Sequence, residues 1–247
     1  MRAARIGIAG LGGCGSNHLL TLARMGFEKF AVADPDVFDL SNFNRQAGAT
    51  LRTVGRPKVE VMREIVLDIN PAADVQDFPG GIDRKSMDDF ADSTDIGINA
   101  IDFFRADLYP VFHDTYRSLG KYSIVGASPF AFGASMTVIG PDSPSFAEFV
   151  GIGESEEAEA ILRRFVARMT PDGFAGEYLA PGVNEIRSPL PDTRISSSAA
   201  ALQLCTGLTA AEVLFIVTGR RRPTLAPAVL QFDLLLQRFA LSSGATG

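Results

Sequence analysis

The chain has 247 residues, 46% hydrophobic and 21% charged, which excludes disordered, collagen-like and low-complexity structure and leaves ample chain for a core. Its 23 Lys and Arg against 29 Asp and Glu give a formal charge of −6 and a pI near 5.0, so a nucleic-acid or anionic-membrane partner is not expected. No apolar run is read as approaching the roughly 18–20 residues of a bilayer span. Two cysteines, Cys14 and Cys205, are too few for a disulfide framework or a four-cysteine zinc site, so a reduced, cytoplasmic protein without zinc is expected.

In chain order, Arg5-Ile-Gly-Ile-Ala-Gly10 reads as a short apolar strand followed by a glycine loop, Gly10-Leu-Gly-Gly-Cys-Gly-Ser16. A helix then runs to about Met25 on an apolar face of Leu19, Leu20, Leu22 and Ala23, and Gly26 stops it. Phe30-Ala-Val-Ala-Asp34 is a second strand. Strand, glycine turn, helix and strand in about 30 residues form a βαβ unit with parallel strands. Lys58–Asn70 reads as a helix ended by Pro71, Asp95–Ile101 as a strand, Phe104–Leu119 as a helix and Tyr122–Val125 as a strand. This alternation predicts an α/β fold with a doubly wound, Rossmann-like, mostly parallel sheet.

Beyond Gly126-Ala-Ser-Pro129, a predicted turn, the pattern changes. Phe132–Ile139 is expected to pair antiparallel at the far side of the sheet. Ser155–Met169 reads as a surface helix capped by Ser155, with Glu156 and Glu157 at its positive end. Pro181–Pro191 reads as a long exposed loop, Ile195–Val217 as a long buried apolar helix, Ala228–Phe239 as one or two last strands and Leu241–Gly247 as a frayed tail. With no internal repeat or clean linker, one domain spans 1–247, divided into a nucleotide-binding half, 1–140, and a C-terminal half, 141–247.

Gly10, Gly12 and Gly15 fit G-x-G-x-x-G between a strand and a helix, where glycine permits a tight turn and close approach of backbone to phosphate. Asp34 stands 19 residues after Gly15 at the end of the next strand, placed to accept from ribose hydroxyls. These features alone do not separate NAD from ATP. Arg45 and Lys58 do: a hydride-transferring site has no use for two cations behind its ribose acid. An enzyme that adenylates a carboxylate needs them, because two anions must meet and pyrophosphate must leave.

Gly10-x-Gly-Gly13-x-Gly-Ser16, Asp34-x-Asp36, Ser41-Asn42-x-x-Arg45-Gln46, Gly55-x-Pro-Lys58 and Asn70-Pro71 together resemble the ThiF/MoeB/HesA superfamily, related to the adenylation domain of ubiquitin-activating enzymes. The resemblance covers about the first 130 residues. It implies that the glycine loop and Asp34 hold ATP, that Asn42, Arg45, Gln46 and Lys58 face its phosphates and ribose, and that Asp102 positions Mg2+. Read without the family, Asp102 is a helix cap. The resemblance further implies activation of the C-terminus of a ubiquitin-like protein or a peptide by a homodimer.

Departures narrow the expectation. The family's N-terminal helix, whose arginine reaches the partner's ATP, is expected to be missing or replaced, since the first strand is predicted to begin at Arg5. Phe103 stands where the ubiquitin-activating branch has Asn. No thiol lies between Gly15 and Cys205, so thioester formation in the loop around Thr170–Asp192 is not expected. Cys14 is read as a small side chain in a tight turn, Cys205 as core, and His18 and His113 as satisfied surface or boundary residues. Gly126–Gly133 resembles the family's turn beside the acyl substrate, and Gly219-Arg-Arg-Arg-Pro223 is a basic turn at a helix end. Competing readings are an enzyme like tRNA threonylcarbamoyladenosine dehydratase, suggested by Asp102-x-x-Arg105, a degenerate nucleotide-binding partner subunit, and, more distantly, an NAD-dependent oxidoreductase.

Overall fold

The computed structural model describes residues 1–127, 133–153, 156–170 and 198–242. Its strands form one eight-stranded sheet in the order β3-β2-β1-β4-β5-β6-β7-β8. The five parallel strands are β1 (Arg5–Ala9), β2 (Lys29–Ala33), β3 (Asp74–Phe78), β4 (Ile96–Asn99) and β5 (Tyr122–Ala127). The extension is antiparallel: β6 (Gly133–Ile139) on β5, β7 (Val229–Asp233) on β6 and β8 (Arg238–Ser242) on β7. The predicted doubly wound sheet with antiparallel C-terminal strands is therefore what the chain forms.

Periodicity explains the layers. Ile6 and Ile8 of β1, with Phe30 and Val32 of β2, face α1 (Gly13–Arg24), α2 (Lys58–Ile69) and the long helix α7 (Ala199–Thr218), where Leu19, Leu22, Met62, Val66 and Val213 complete one core. The alternate positions Ala9, Ala31 and Ala33 are small. They admit the large rings of Phe90 from α3 (Met87–Asp92) and of Phe112 and Tyr116 from α4 (Tyr109–Ser118) on the opposite face. A third cluster packs α5 (Phe146–Val150) and α6 (Ala158–Arg168) against β5, β6 and β7 through Phe146, Phe149, Phe165 and Val229.

Several expectations need correction. The predicted helix over Phe104–Leu119 is two pieces: a 3-10 segment, Phe103–Leu108, interrupted at Arg105, then α4 with Pro110 in its first turn. Strand β5 continues through Gly126 and Ala127, so the predicted turn begins later, and 128–132 lie outside the described residues. The Ser155 cap, the Pro181–Pro191 loop, residues 195–197 of the apolar helix and the tail from 243 also lie outside them. Helix α6 starts at Ala158 from Glu157 and buries Ile161, Leu162 and Phe165, so it is amphipathic and not wholly at the surface.

The reading that no apolar run reaches a membrane span is corrected by α7. It has 20 residues, with a mean hydropathy of 1.8 over its most apolar 18, long and apolar enough to cross a bilayer by length and composition. Its contacts are those of a core helix: Leu202, Cys205, Thr209 and Val213 are buried, and it packs along α1, β5 and β6. Its one charge, Glu212, is buried, ion-paired with Arg221 and accepts the Thr224 N–H at 3.0 Å. Gly219 ends the helix at φ 63°, as the basic turn predicts.

Both histidines are fully buried, against the expectation of surface or boundary positions. The Ile101 N–H donates to Asn99 Oδ1, so the Asn99 Nδ2 group donates to His113 Nε2 at 3.0 Å, and His113 Nδ1–H donates to Ser123 Oγ at 2.8 Å. The ring stacks on Phe146 at 5.0 Å. This neutral tautomer leaves no acceptor for a second proton, and burial pushes the His113 pKa down to about 3. Between the unfolded value of 6.5 and about 3, the unfolded chain binds a proton that the native chain does not, so stability is complete above pH 6.5 and falls with pH through that window. Urea unfolding should accordingly show a loss on the order of 1–3 kcal/mol between pH 7 and 4.5 from this group. His113→Gln should be less stable than the native chain at pH 7 and lose less on acidification; equal acid sensitivity of the two would refute this assignment.

Candidate active site

Strand order reverses between β1 and β4: the chain leaves β1 toward β2 and β3 on one side, while β4 and β5 lie on the other. Their C-terminal ends open the crevice in which doubly wound sheets hold ligands. The glycine loop leaves β1 there and Asp102 follows β4. Gly10 adopts φ 95°, and its N–H donates to Ala33 O at 2.7 Å. A Cβ on Gly10 would stand 2.1 Å from Ala100 O, and one on Gly15 would stand 1.8 Å from Gly10 O. Only glycine fits at either position, and the loop is thereby clamped between β2 and the segment after β4.

Asp34 ties this loop to the end of β2. Leu11 N–H donates to its Oδ2 at 2.6 Å and Asp36 N–H to its Oδ1 at 2.9 Å. Each oxygen keeps a second lone pair, so this bracing is compatible with hydrogen bonds from ribose hydroxyls. Lys58, at the start of α2, is 5% exposed; its ammonium donates to Asp36 Oδ2 at 2.9 Å and lies 3.7 Å from Asp34 Oδ1. Burial raises the Asp34 pKa, and the Lys58 charge opposes that rise. The glycine loop, Asp34, Asp36 and Lys58 thus form one connected unit.

Arg45 and Gln46 flank it. The Arg45 stem packs on Gly13, while its Nη1 donates to Ser41 O at 3.1 Å and to Asn44 Oδ1 at 2.9 Å. Gln46 is 7% exposed, its amide lies beside Gly12, and among the described residues its Oε1 has no hydrogen-bond partner. A buried orphan acceptor next to a phosphate-type loop is a group that a bound ligand can satisfy. Asn42 is placed differently: its Oδ1 accepts the Asp39 N–H at 3.0 Å in a reciprocal capping box, so the side chain serves its own 3-10 turn. Asp102 is exposed and caps the 3-10 segment, accepting the Phe104 N–H at 3.0 Å on Oδ1. Among the described residues no hydrogen bond or ion pair links it to Lys58 or Arg45.

Side chains that motif reading leaves without a role stitch this assembly together. Ser16 Oγ donates to Gly12 O at 2.6 Å and accepts the Ala47 N–H at 3.1 Å. Asn17 Nδ2 donates to Gly13 O at 2.6 Å and Arg45 O at 3.0 Å, and Gln203 of α7 donates to Asn17 Oδ1 at 2.8 Å. Asn17 stands one helical turn after Gly13, a spacing that signals it; nothing in sequence links Gln203, 186 residues away. A separate open cavity of about 450 Å3 lies past β3, lined partly by Asp77, Asp83 and Asp89, whose carboxylates are unsuited to phosphate.

A ThiF family model matches residues 1–243. The chain belongs to the ThiF family. Among curated relatives, this ThiF chain is 40% identical over 75 residues to a tRNA threonylcarbamoyladenosine dehydratase of Bacillus subtilis, covering 30% of each chain. It is 32% identical over 118 residues to a probable molybdopterin-synthase adenylyltransferase of Porphyra purpurea, covering 48% of this chain and 30% of that one. It is 28% identical over 143 residues to the SAMP-activating enzyme E1 of Haloferax volcanii, covering 58% and 52%. The chain therefore spans between about a third and a half of these relatives. Among solved structures, E. coli MccB with ATP has a TM-score of 0.70 at 15% identity, covering 100% of this chain and 65% of that one. PaaA has a TM-score of 0.68 at 21% identity, covering 98% and 64%. At such identities these structures establish the shared fold.

Proposed function

We propose that this ThiF-family chain binds Mg-ATP in the crevice between β1 and β4 and adenylates a carboxylate, releasing pyrophosphate. The observation that supports it most is the buried Lys58 ammonium beside Asp34 under the glycine loop: a cation desolvated there is worth far more to a developing phosphoryl charge than one in water. The start of α1 offers backbone N–H groups and a positive dipole end to phosphate oxygens. Asp34 holds the loop and accepts from the ribose, Gln46 Oε1 accepts from the ligand, and Arg45 moves its guanidinium from Ser41 O onto the phosphates. Asp102 suits Mg2+, an oxygen-seeking cation that keeps several waters and needs few carboxylates, because Oδ2 remains beyond the cap it makes with Oδ1. A magnesium ion held by Asp102 would supply charge stabilisation for the leaving pyrophosphate.

The proposed carboxylate is the C-terminus of a ubiquitin-like protein or a peptide, in line with relatives named for molybdopterin synthase and SAMP activation; the proposed assembly, a homodimer, rests on the family resemblance alone. A second reading, a carboxylate on a modified tRNA nucleoside, draws on the Bacillus subtilis relative and on Arg105, whose guanidinium is engaged by Asp107 at 3.1 Å at the mouth of the crevice. One assay separates them. ATP–pyrophosphate exchange should depend on magnesium and on peptides or ubiquitin-like proteins with free C-termini, and vanish with C-terminally amidated versions. Exchange driven only by threonylcarbamoyladenosine-containing tRNA would select the second reading; none with either class would reject adenylation.

A further inference from the structure

Cys14, His18 and Cys205 come together beneath the glycine loop, although sequence reading treats them as three unrelated fillers. Cys14 is in the first turn of α1, His18 is one turn further along the same face, and Cys205 reaches them from α7. Their two sulfurs and an imidazole nitrogen all lie within 4.8 Å of one another. His18 is fully buried, yet among the described residues neither ring nitrogen has a hydrogen-bond partner. That is costly for an imidazole, which normally donates from one nitrogen and accepts at the other. The buried Thr209 hydroxyl beside it is likewise unpartnered among the described residues. A Cβ on Gly126 of β5 would lie 2.7 Å from Thr209 Oγ1, 3.3 Å from Cys205 Sγ and 3.8 Å from His18 Nε2, so these atoms converge on one spot that a glycine leaves open.

We propose that Cys14, His18 and Cys205 bind a zinc ion that pins the first turn of α1, and with it the glycine loop, to α7. Thiolate and imidazole are the ligands zinc takes in structural sites. Two thiolates and a neutral imidazole cancel the charge of a divalent ion, whereas a monovalent soft cation would leave a net charge in a buried site, so a divalent ion is favoured. Sulfurs about 2.3 Å from zinc stand about 3.8 Å apart in tetrahedral geometry, so the cluster needs to close by no more than about an ångström. Thr209 supplies the nearby oxygen for the fourth position, and the two thiol protons leave to solvent. The expectation of no zinc rests on two cysteines being too few for a four-cysteine site and does not reach a mixed cysteine–histidine set assembled from two distant helices.

The chain has only two cysteines, both in this cluster, so thiol chemistry reports on it without mutation. Protein stripped with a strong chelator should take up one zinc per chain against a chromophoric competitor, and Co2+ in its place should give thiolate-to-cobalt absorption in the near ultraviolet. Both thiols should then resist Ellman's reagent and become reactive on chelation. Cys205→Ser and His18→Gln should weaken binding by about a hundredfold or more, with melting of the metal-free variants reporting on the fold separately. Full thiol reactivity in the presence of one zinc equivalent, or no cobalt–thiolate band in the unmodified chain, would overturn the proposal. So would rapid Cys14–Cys205 disulfide formation with dilute peroxide while zinc is present, which would assign the pair to redox chemistry. None of these readouts depends on nucleotide binding or turnover.

Discussion

Lys58→Ala should lower magnesium-dependent ATP–pyrophosphate exchange by on the order of a hundred- to a thousandfold, the usual consequence of removing one preorganised charge from a transition state. Among the described residues Lys58 is the one cation in the site that is almost wholly removed from water, and its ammonium bridges Asp34 and Asp36. Its loss leaves the buried Asp34 carboxylate without its counter-charge, so some stability is lost as well, on the order of 1–3 kcal/mol. The Asp36 side chain is two-thirds exposed, and that half of the bridge contributes little to the total. Adding Asp36→Asn to Lys58→Ala separates the effects: relief of the repulsion between the two carboxylates should return a small part of the stability, while exchange stays low. Recovery of exchange in the double variant would assign Lys58 a purely structural role.

The second large effect is steric. Gly15→Ala should destabilise the chain by about 3 kcal/mol or more in urea unfolding, because its methyl group would stand 1.8 Å from Gly10 O, a backbone atom held by the clamp on β2. Relief requires moving the loop, so ATP binding should be lost even where the fold survives. Gly207→Ala is the control. Gly207 lies inside α7 with no atom of the chain within 4 Å of the added methyl, so alanine there should stabilise by about 0.5–1 kcal/mol through helix propensity. Equal and small effects at both positions would show that the loop yields freely, against the geometry described.

What could be read from sequence follows from where each element lies. Strands β1, β2, β4 and β5 are buried on both faces, so they appear as short unbroken apolar runs and are found at once. Strand β3, Asp-Val-Gln-Asp-Phe, escapes notice because it is the exposed edge of the sheet, where charged side chains are tolerated and apolar periodicity is not required. Helix α3 has six residues, too few for a helical period to show. The glycine loop, Asp34 and Lys58 are legible because strand, turn and helix place them locally. Asn42 illustrates what spacing leaves out: it fits a family motif, and its Oδ1 also accepts the Asp39 N–H within its own turn. Gln203 and the Cys205 thiol reach the site region only through the packing of α7 on α1, where Cys205 meets Cys14 and His18, a contact that no local pattern encodes.

Adenylation moves one carboxylate oxygen onto the α-phosphorus, and isotope transfer follows that atom directly. A peptide whose C-terminal carboxylate carries 18O should be incubated with the enzyme, Mg2+ and ATP, and the nucleotide products analysed by mass spectrometry after the activated carboxyl is released. Appearance of a single 18O in AMP is the predicted result. Label found in inorganic phosphate, or AMP formed without label, would contradict attack at the α-phosphate.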